Sequence, residues 1–216
     1  MSDLTMDETA PFSAGEFRRR ALHQSGRPLD AAWGDHGDHR LNPQFVNLAR
    51  DLELRDAAVL VPVIDDGNEA KIILTQRTAS LRKHSGQIAF PGGAIDPEDS
   101  SPEQAALREA REEIGLDPSF VEPLARLPNY YAPSGFRITP VLSLVRRGFE
   151  LTLNPTEVDD VFEVPLSFLM NAANHQQGSR QFDGTERHFY LMRYEDRDIW
   201  GITAGILRTL YERLYA

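Results

Sequence analysis

Apolar residues are spaced along this chain in two rhythms. From Ala57 to Ile64 they run almost unbroken and stop at Asp65-Asp66-Gly67. A short continuous apolar run closed by a turn signal predicts a buried strand, and Lys71 to Gln76 is its natural hairpin partner. Gln87 to Phe90, Val121 to Leu127, Ile138 to Val145 and His188 to Tyr194 read as further strands. The second rhythm is helical. Leu107, Ala110 and Ile114 recur at i, i+3 and i+7, and Ile206, Leu207, Leu210 and Leu214 share one side of a closing helix over Thr203 to Tyr215. Val164 to Ala173 is read as a helix too. Strands and helices mix around the segment near Leu107, a pattern that suits an α/β protein with an α/β/α sandwich on a mixed sheet.

That central helix carries clear end signals. Ser101 is placed to cap it, Pro102 fits its first position, Gln104 completes an S-x-x-Q capping box, and Gly115 stands where a left-handed C-cap is wanted. Phe90-Pro91-Gly92-Gly93 just before it reads as a strand end breaking into a glycine turn, where backbone can approach a ligand closely. The first 50 residues look different. Ser13 and Glu16 could cap a short helix containing Phe17 and the solvated triplet Arg18 to Arg20. Asp30 to Asn42 resembles a loop, and its Asp35, His36, Asp38 and His39 read as surface decoration, because no helix presents them as a metal cluster. Residues 1–50 are therefore read as a helical and loop extension and 51–216 as the main domain.

Composition narrows the function classes. The chain has 216 residues, 41% hydrophobic, and a formal charge of −10. That balance argues against a nonspecific nucleic-acid binder, though not against a phosphate substrate held in a locally cationic cleft. The absence of cysteine excludes thiol catalysis and disulfides and suits a reducing compartment. The acidic start lacks the apolar core of a secretory leader, and no apolar run reaches the length of a membrane span. A soluble cytoplasmic protein without membrane partners is expected, and a homodimer is compatible with the chain.

The chemistry concentrates in Arg108-Glu109-Ala110-Arg111-Glu112-Glu113-Ile114-Gly115-Leu116. Glu109, Glu112 and Glu113 at i, i+3 and i+4 share one helix face, where like charges repel. An isolated glutamate triplet is most often a solvated face. Together with Gly92, Gly93 and Arg108 it reads instead as a divalent-cation site, since Mg²⁺ takes carboxylate oxygens and leaves positions open for phosphates. Arg108 is suited to fixing a carboxylate through a bidentate pair.

At these residues the chain resembles the Nudix hydrolases, whose box reads G-x5-E-x7-R-E-x-x-E-E-x-G followed by a hydrophobic residue. Arg108 to Leu116 match every defined position. The first half departs: Asp99 stands where Glu is expected, and the run from Gly93 to Arg108 is one residue longer, so either Glu98 or Asp99 takes the first acid's part. The segment Leu74 to Gly93, containing Leu81-Arg-Lys-His-Ser-Gly-Gln-Ile-Ala-Phe-Pro-Gly-Gly93, is similar to the additional motif of the coenzyme A pyrophosphatase branch, which also carries the longer box.

The resemblance implies a Nudix-type α/β/α sandwich with a mixed sheet. It implies Mg²⁺ or Mn²⁺ as cofactor, held by Glu109 and Glu113 with Glu112 beside them. Glu109 and Glu112 remain alternatives for orienting or deprotonating the attacking water. A further catalytic or metal-binding acid is expected in the loop after Asn154. Glu157 is the first choice there, against Asp159, Asp160 and Glu163. Arg77, Arg82, Lys83, His84 and Gln87, with Gly92 and Gly93, would clamp the phosphates of coenzyme A. The implied reaction cleaves coenzyme A or its derivatives into phosphopantetheine, or its acylated form, and adenosine 3',5'-bisphosphate. Two alternatives stay open: a pyrophosphatase for ADP-ribose or NADH, and a non-catalytic binding module of the same fold.

Overall fold

The apolar run near Ala57 forms β1 (Arg55–Ile64), and its expected partner is β2 (Lys71–Arg77), paired antiparallel with Val63 opposite Ile72. The structure is a computed structural model describing residues 10–44, 53–67, 69–79, 86–182 and 184–216. Arg82, Lys83 and His84 lie outside the described residues. The later strands are β3 (Ile88–Ala89), β4 (Gly92–Ala94), β5 (Val121–Arg126), β6 (Tyr130–Ala132), β7 (Phe136–Val145) and β8 (Val158–Pro165). Together they build one sheet in which β7 runs parallel to β1 while the other pairings are antiparallel, so the sheet is mixed. A smaller antiparallel sheet joins β9 (Gln176–Phe182), β10 (Thr185–Tyr194) and β11 (Arg197–Trp200).

Both faces of β1 are covered, which is why its sequence is continuously apolar rather than alternating. Side chains still alternate in direction. Ala57, Val61 and Val63 enter one core with Ile72, Leu74 and Leu142. Ala58, Leu60 and Ile64 enter the other with Ile73, Val141 and Val145. Helix α2 (Pro102–Ile114) covers the second face through Ala105, Ala106, Ala110 and Ile114, with Leu107 only partly buried. Helices α1 (Ala14–Leu22) and α4 (Ile202–Leu214) cover the first through Phe17, Ile206, Leu207 and Leu210. The result is helix, sheet, helix in layers.

Ser13 caps α1 through Glu16 N–H at 3.2 Å, as the sequence predicts. Helix α1 is nevertheless part of the core: Phe17 is fully buried, a gain of about 1.5–3 kcal/mol relative to exposure. The Arg18–Arg20 triplet is ion-paired, Arg18 with Glu122 and the other two with Glu16, while Arg20 also donates to the Leu214 carbonyl.

Three expectations fail for identifiable reasons. Val164 to Ala173 is not one helix. Val164 pairs with Ile72 in β8, and only one helical turn, α3 (Leu166–Leu169), follows Pro165. Leu166, Leu169 and Met170 are buried at helical spacing, so one turn supplies the periodicity of a longer helix. Gly92 and Gly93 are not a free turn but lie in β4, opposite Val59 and Ala58. The Asp38 and His39 side chains are buried, not surface decoration. Asp38 accepts from the Tyr130 hydroxyl at 2.7 Å, and the His39 ring stacks on Tyr130 with Nε2 accepting from Tyr131 N–H.

Candidate active site

The site begins with a change of partner along β1. Its end pairs with β2 at Val63 and Ile64, but its start pairs with β4 at Ala57 to Val59. Meanwhile β2 continues against β3, with Thr75 opposite Ala89. Phe90 and Pro91 must therefore cross from one ladder to the other, and the Pro91 carbonyl accepts from Leu60 N–H at 2.8 Å. The crossing delivers Gly92 and Gly93 beneath α2.

Close approach requires a glycine at Gly92, where the obstacle is backbone, and Gly93 keeps space for the Glu109 carboxylate. A Cβ on Gly92, where φ is 156°, would strike the Ala58 carbonyl and the Val59 Cα. A Cβ on Gly93 would stand 2.5 Å from the carboxyl carbon of Glu109. The missing side chains let strand backbone and helix carboxylates share the same space.

Helix α2 brings the carboxylates. Ser101 Oγ accepts from Gln104 N–H at 3.3 Å, and Gly115 ends the helix with φ 70°. The reciprocal arm of the capping box is shifted by one residue: Gln104 Oε1 accepts from the backbone and hydroxyl of Ser100. Glu113 is only 2% exposed. Its Oε2 accepts from Gly92 N–H at 3.0 Å, and Oε1 accepts from Arg77 Nη1 at 3.4 Å. Burial pushes its carboxyl up to about 7; the neighbouring Glu109 and Glu157 carboxylates add to the rise, and Gly92 N–H and Arg77 oppose it. Burial also raises Glu109 against the favourable Arg108 contact, with Glu112 and Glu157 adding repulsion.

Arg108 organises the entrance. Its Nη1 donates to Glu109 at 2.8 Å and to Glu112 at 3.4 Å. On its other edge Nη2 donates to Asp99 at 2.9 Å and to the Ala94 carbonyl at 3.0 Å. Asp99, held below the usual carboxylate range by this guanidinium, pairs with Arg108, as Asp96 does at 3.4 Å, while Glu98 is exposed. Of the two acids left open by the sequence, Asp99 is the one that pairs with Arg108. Glu112 is more peripheral, with 58% of its side chain exposed.

Glu157 joins from the opposite side. Thr152 and Asn154 N–H donate to the carbonyls of Ile114 and Glu113, docking the loop onto the C-terminal end of α2. Asn154 then forms an Asx-type turn with Thr156 and donates to Glu157 Oε1 at 3.3 Å. This holds Glu157 where it acts on both Glu109 and Glu113. Its rivals are engaged elsewhere: Asp159 with Ala79 N–H, Asp160 with Arg197, and Glu163 with Arg147. Asn154 and the Ala94 carbonyl were missed in the sequence; an Asn-Pro-Thr turn was the visible signal for the former. Gln87 receives the Arg77 N–H on its backbone carbonyl, which places that residue beside β2.

Among the described residues, no three acidic or histidine side chains are already gathered as a complete metal-binding set. The donors are nonetheless carboxylate oxygens, in mutual repulsion and partly desolvated. Such a set fits a hard divalent cation bound through one or two carboxylates, with water and substrate phosphates completing its shell.

Known proteins resemble this chain in sequence and fold. A family model described as the NUDIX domain matches residues 54–184. The chain is 42% identical over 159 residues to the uncharacterized Nudix hydrolase NudL of Citrobacter koseri, covering 74% of this chain and 82% of that protein. Identity to the NudL of Escherichia coli K12 is 40% with the same coverage. The crystal structure of a Deinococcus radiodurans protein superposes with a TM-score of 0.49 at 16% identity, over 74% of this chain and 85% of that one.

Proposed function

The chain belongs to the Nudix family, and we propose that it hydrolyses the pyrophosphate bond of coenzyme A or its derivatives. The coarser reaction is that of a Nudix hydrolase, cleavage of a small-molecule nucleoside diphosphate derivative. The choice of coenzyme A is carried by one coincidence: the segment Leu74 to Gly93 and the longer box occur together. The pairing of Asp99 with Arg108 is compatible with that reading, since the arginine keeps a carboxylate anchor in the longer box.

Nudix hydrolases generally depend on divalent metal ions, and a bound Mg²⁺ or Mn²⁺ would neutralise phosphate oxygens and lower the pKa of bound water. Glu109 and Glu113 are the residues that would hold it, with Glu112 at the rim. Gly92 N–H and Arg77 orient Glu113, and Arg108 orients Glu109. Glu157, with one oxygen bound by Asn154, is our assignment for the acceptor of the water proton as the oxygen bonds to phosphorus and the bridging P–O bond breaks. Glu109 and Glu112 are its rivals. Among the described residues no helix is long and apolar enough to cross a membrane; the cytoplasmic location, the phosphate clamp including Arg82, Lys83 and His84, and any dimer belong to the proposal.

The test is a comparison of kcat/KM for coenzyme A, ADP-ribose, NADH and a diadenosine polyphosphate under one metal and pH. Coenzyme A is expected to lead, with phosphopantetheine and adenosine bisphosphate as products. Higher efficiency on ADP-ribose would remove the coenzyme A assignment, and hydrolysis undiminished by EDTA would remove the metal.

A further inference from the structure

A cavity of about 560 Å³ opens where α1 and the chain after it meet β5 and the end of α4. None of the carboxylates at the candidate active site lines it. Three arginines do, Arg27, Arg126 and Arg213, and among the described residues the lining contains no acid. In a chain with 33 acidic against 23 basic residues, such a one-signed lining does not follow from composition.

Arg213 is the centre of the feature. It is 5% exposed, yet among the described residues no carboxylate pairs with it. Its Nη1 donates to the Arg27 carbonyl at 2.9 Å, and its Nε makes a long contact of 3.4 Å with Gln24 Oε1. Among the described residues no hydrogen bond engages Nη2. Gly26, at φ 96°, lets the chain wrap closely: a Cβ there would lie 2.5 Å from Arg213 Nη1. Arg213 sits in the last turn of α4, where the helix dipole favours a cation. Two neutral acceptors and a dipole do not replace the counter-ion that a buried charge ordinarily has. Burial is the influence felt by its protonation, and it acts against the charge.

The other two arginines are anchored with donors to spare. Arg126 is bidentate to Glu103 through Nε and Nη2, with Nη1 unengaged among the described residues. Arg27 meets Asp35 through Nη1 at 3.0 Å and keeps 64% of its side chain exposed. Between the guanidiniums the lining is aliphatic, with Leu22, Leu29 and Leu124. Leu22 is 54% exposed and is the large apolar side chain that stands out in this way among the described residues. We propose that this cavity binds a small oxyanion carrying a short apolar group, its charged end meeting Arg213 and Arg27 and its apolar part covering Leu22 and Leu124. The site is separate from the hydrolytic centre and does not depend on the substrate assigned there.

The experiment is a methyl NMR titration of the full chain in EDTA, so that the carboxylate-rich active site stays anionic and repels the probes. Sodium hexanoate, hexyl phosphate and neutral 1-hexanol are compared at constant ionic strength. Saturable shifts at Leu22, Leu29 and Leu124 methyls are expected with an anion and not with hexanol; which anion binds more tightly separates a carboxylate ligand from a phosphate monoester. Arg213→Met should weaken binding by about tenfold or more, as expected for a lost charge-assisted contact. Should that variant unfold, Leu22→Glu keeps the question open to measurement: at an exposed position it places a competing carboxylate in the cavity and should abolish the response. Absence of a saturable shift with either anion, an equal response to hexanol, or parental affinity in Leu22→Glu would overturn the proposal. Turnover with metal is measured separately, so failure here leaves the hydrolase reading standing.

Discussion

Two carboxylates are buried on opposite faces of the sheet, and their surroundings differ in kind. Glu113 is 2% exposed and Asp38 3%, and burial raises both carboxyls, to about 7 and about 6. Asp38 is enclosed by groups that satisfy it: the Tyr130 hydroxyl reaches both oxygens, and Arg187 supplies positive potential. Glu113 is raised mainly by burial; Gly92 N–H and Arg77 favour its charge, while Glu109 and Glu157 add a smaller repulsion that Asp38 does not feel from the groups around it. The first environment closes a structural joint between the N-terminal segment and β6. The second sets like charges near a desolvated carboxyl, which fits the divalent cation proposed for this site. Burial alone does not mark a functional acid; the sign of what surrounds it does.

The largest effect should come from Glu113→Gln. Helix α2 keeps its shape and the Gly92 N–H keeps an acceptor, but turnover should fall by about 10²-fold or more, the scale of lost metal-site groups. Thermal unfolding without metal should be unchanged or raised, because a repelled buried charge is gone. Turnover near the parent's would remove Glu113 from the metal site. A sharper probe of geometry is Gly93→Ala, which leaves every carboxylate in place but pushes on Glu109. A loss of about tenfold to 10²-fold in kcat is expected from misplacement of that order, with little change in the global melting temperature. Kinetics equal to the parent's would show that the approach at Gly93 is relaxed in solution.

On the other face the same kind of change should act on stability. Asp38→Ala strands the buried Tyr130 hydroxyl and should cost about 1–3 kcal/mol, read by urea unfolding, while metal dependence stays as in the parent. A large change in metal affinity instead would dissolve the contrast between the two acids. The smallest effect is the pH dependence of that stability. The folded pKa of Asp38 is raised above its unfolded value, so the folded state binds the proton more tightly. Its contribution is fully present below the usual aspartate pKa and is lost as pH rises through about 6. Asp38→Asn should flatten the unfolding free energy across that window by about 1–3 kcal/mol, and an unaltered slope would assign the dependence to other groups.

Local periodicity made much of this molecule legible. The hairpin of β1 and β2, the strands β5, β7 and β10, and both long helices follow from apolar spacing and end signals that act within a few residues of one another. The carboxylate face of α2 is equally local, since i and i+4 must share a side. Strand β9 (QQGSRQF) escaped because its residues carry no apolar alternation; its place is set by pairing with β10. The helix expected after Val164 failed because a ladder to β2 claimed that residue.

The sequence by itself therefore determined the α/β layers, the glycines before the helix and the set of acids available for chemistry. Tertiary structure decided which acids meet. That Asp99 and not Glu98 holds Arg108, that Glu157 adds its repulsion to Glu113 while Asp160 pairs with Arg197, and that Arg213 is buried with no carboxylate partner among the described residues all depend on segments distant in the chain. A propensity reports the cost of a local backbone shape, whereas the partner of a charge is set by the packing of the sheet and helices, which brings chemistry together over distances no local pattern encodes.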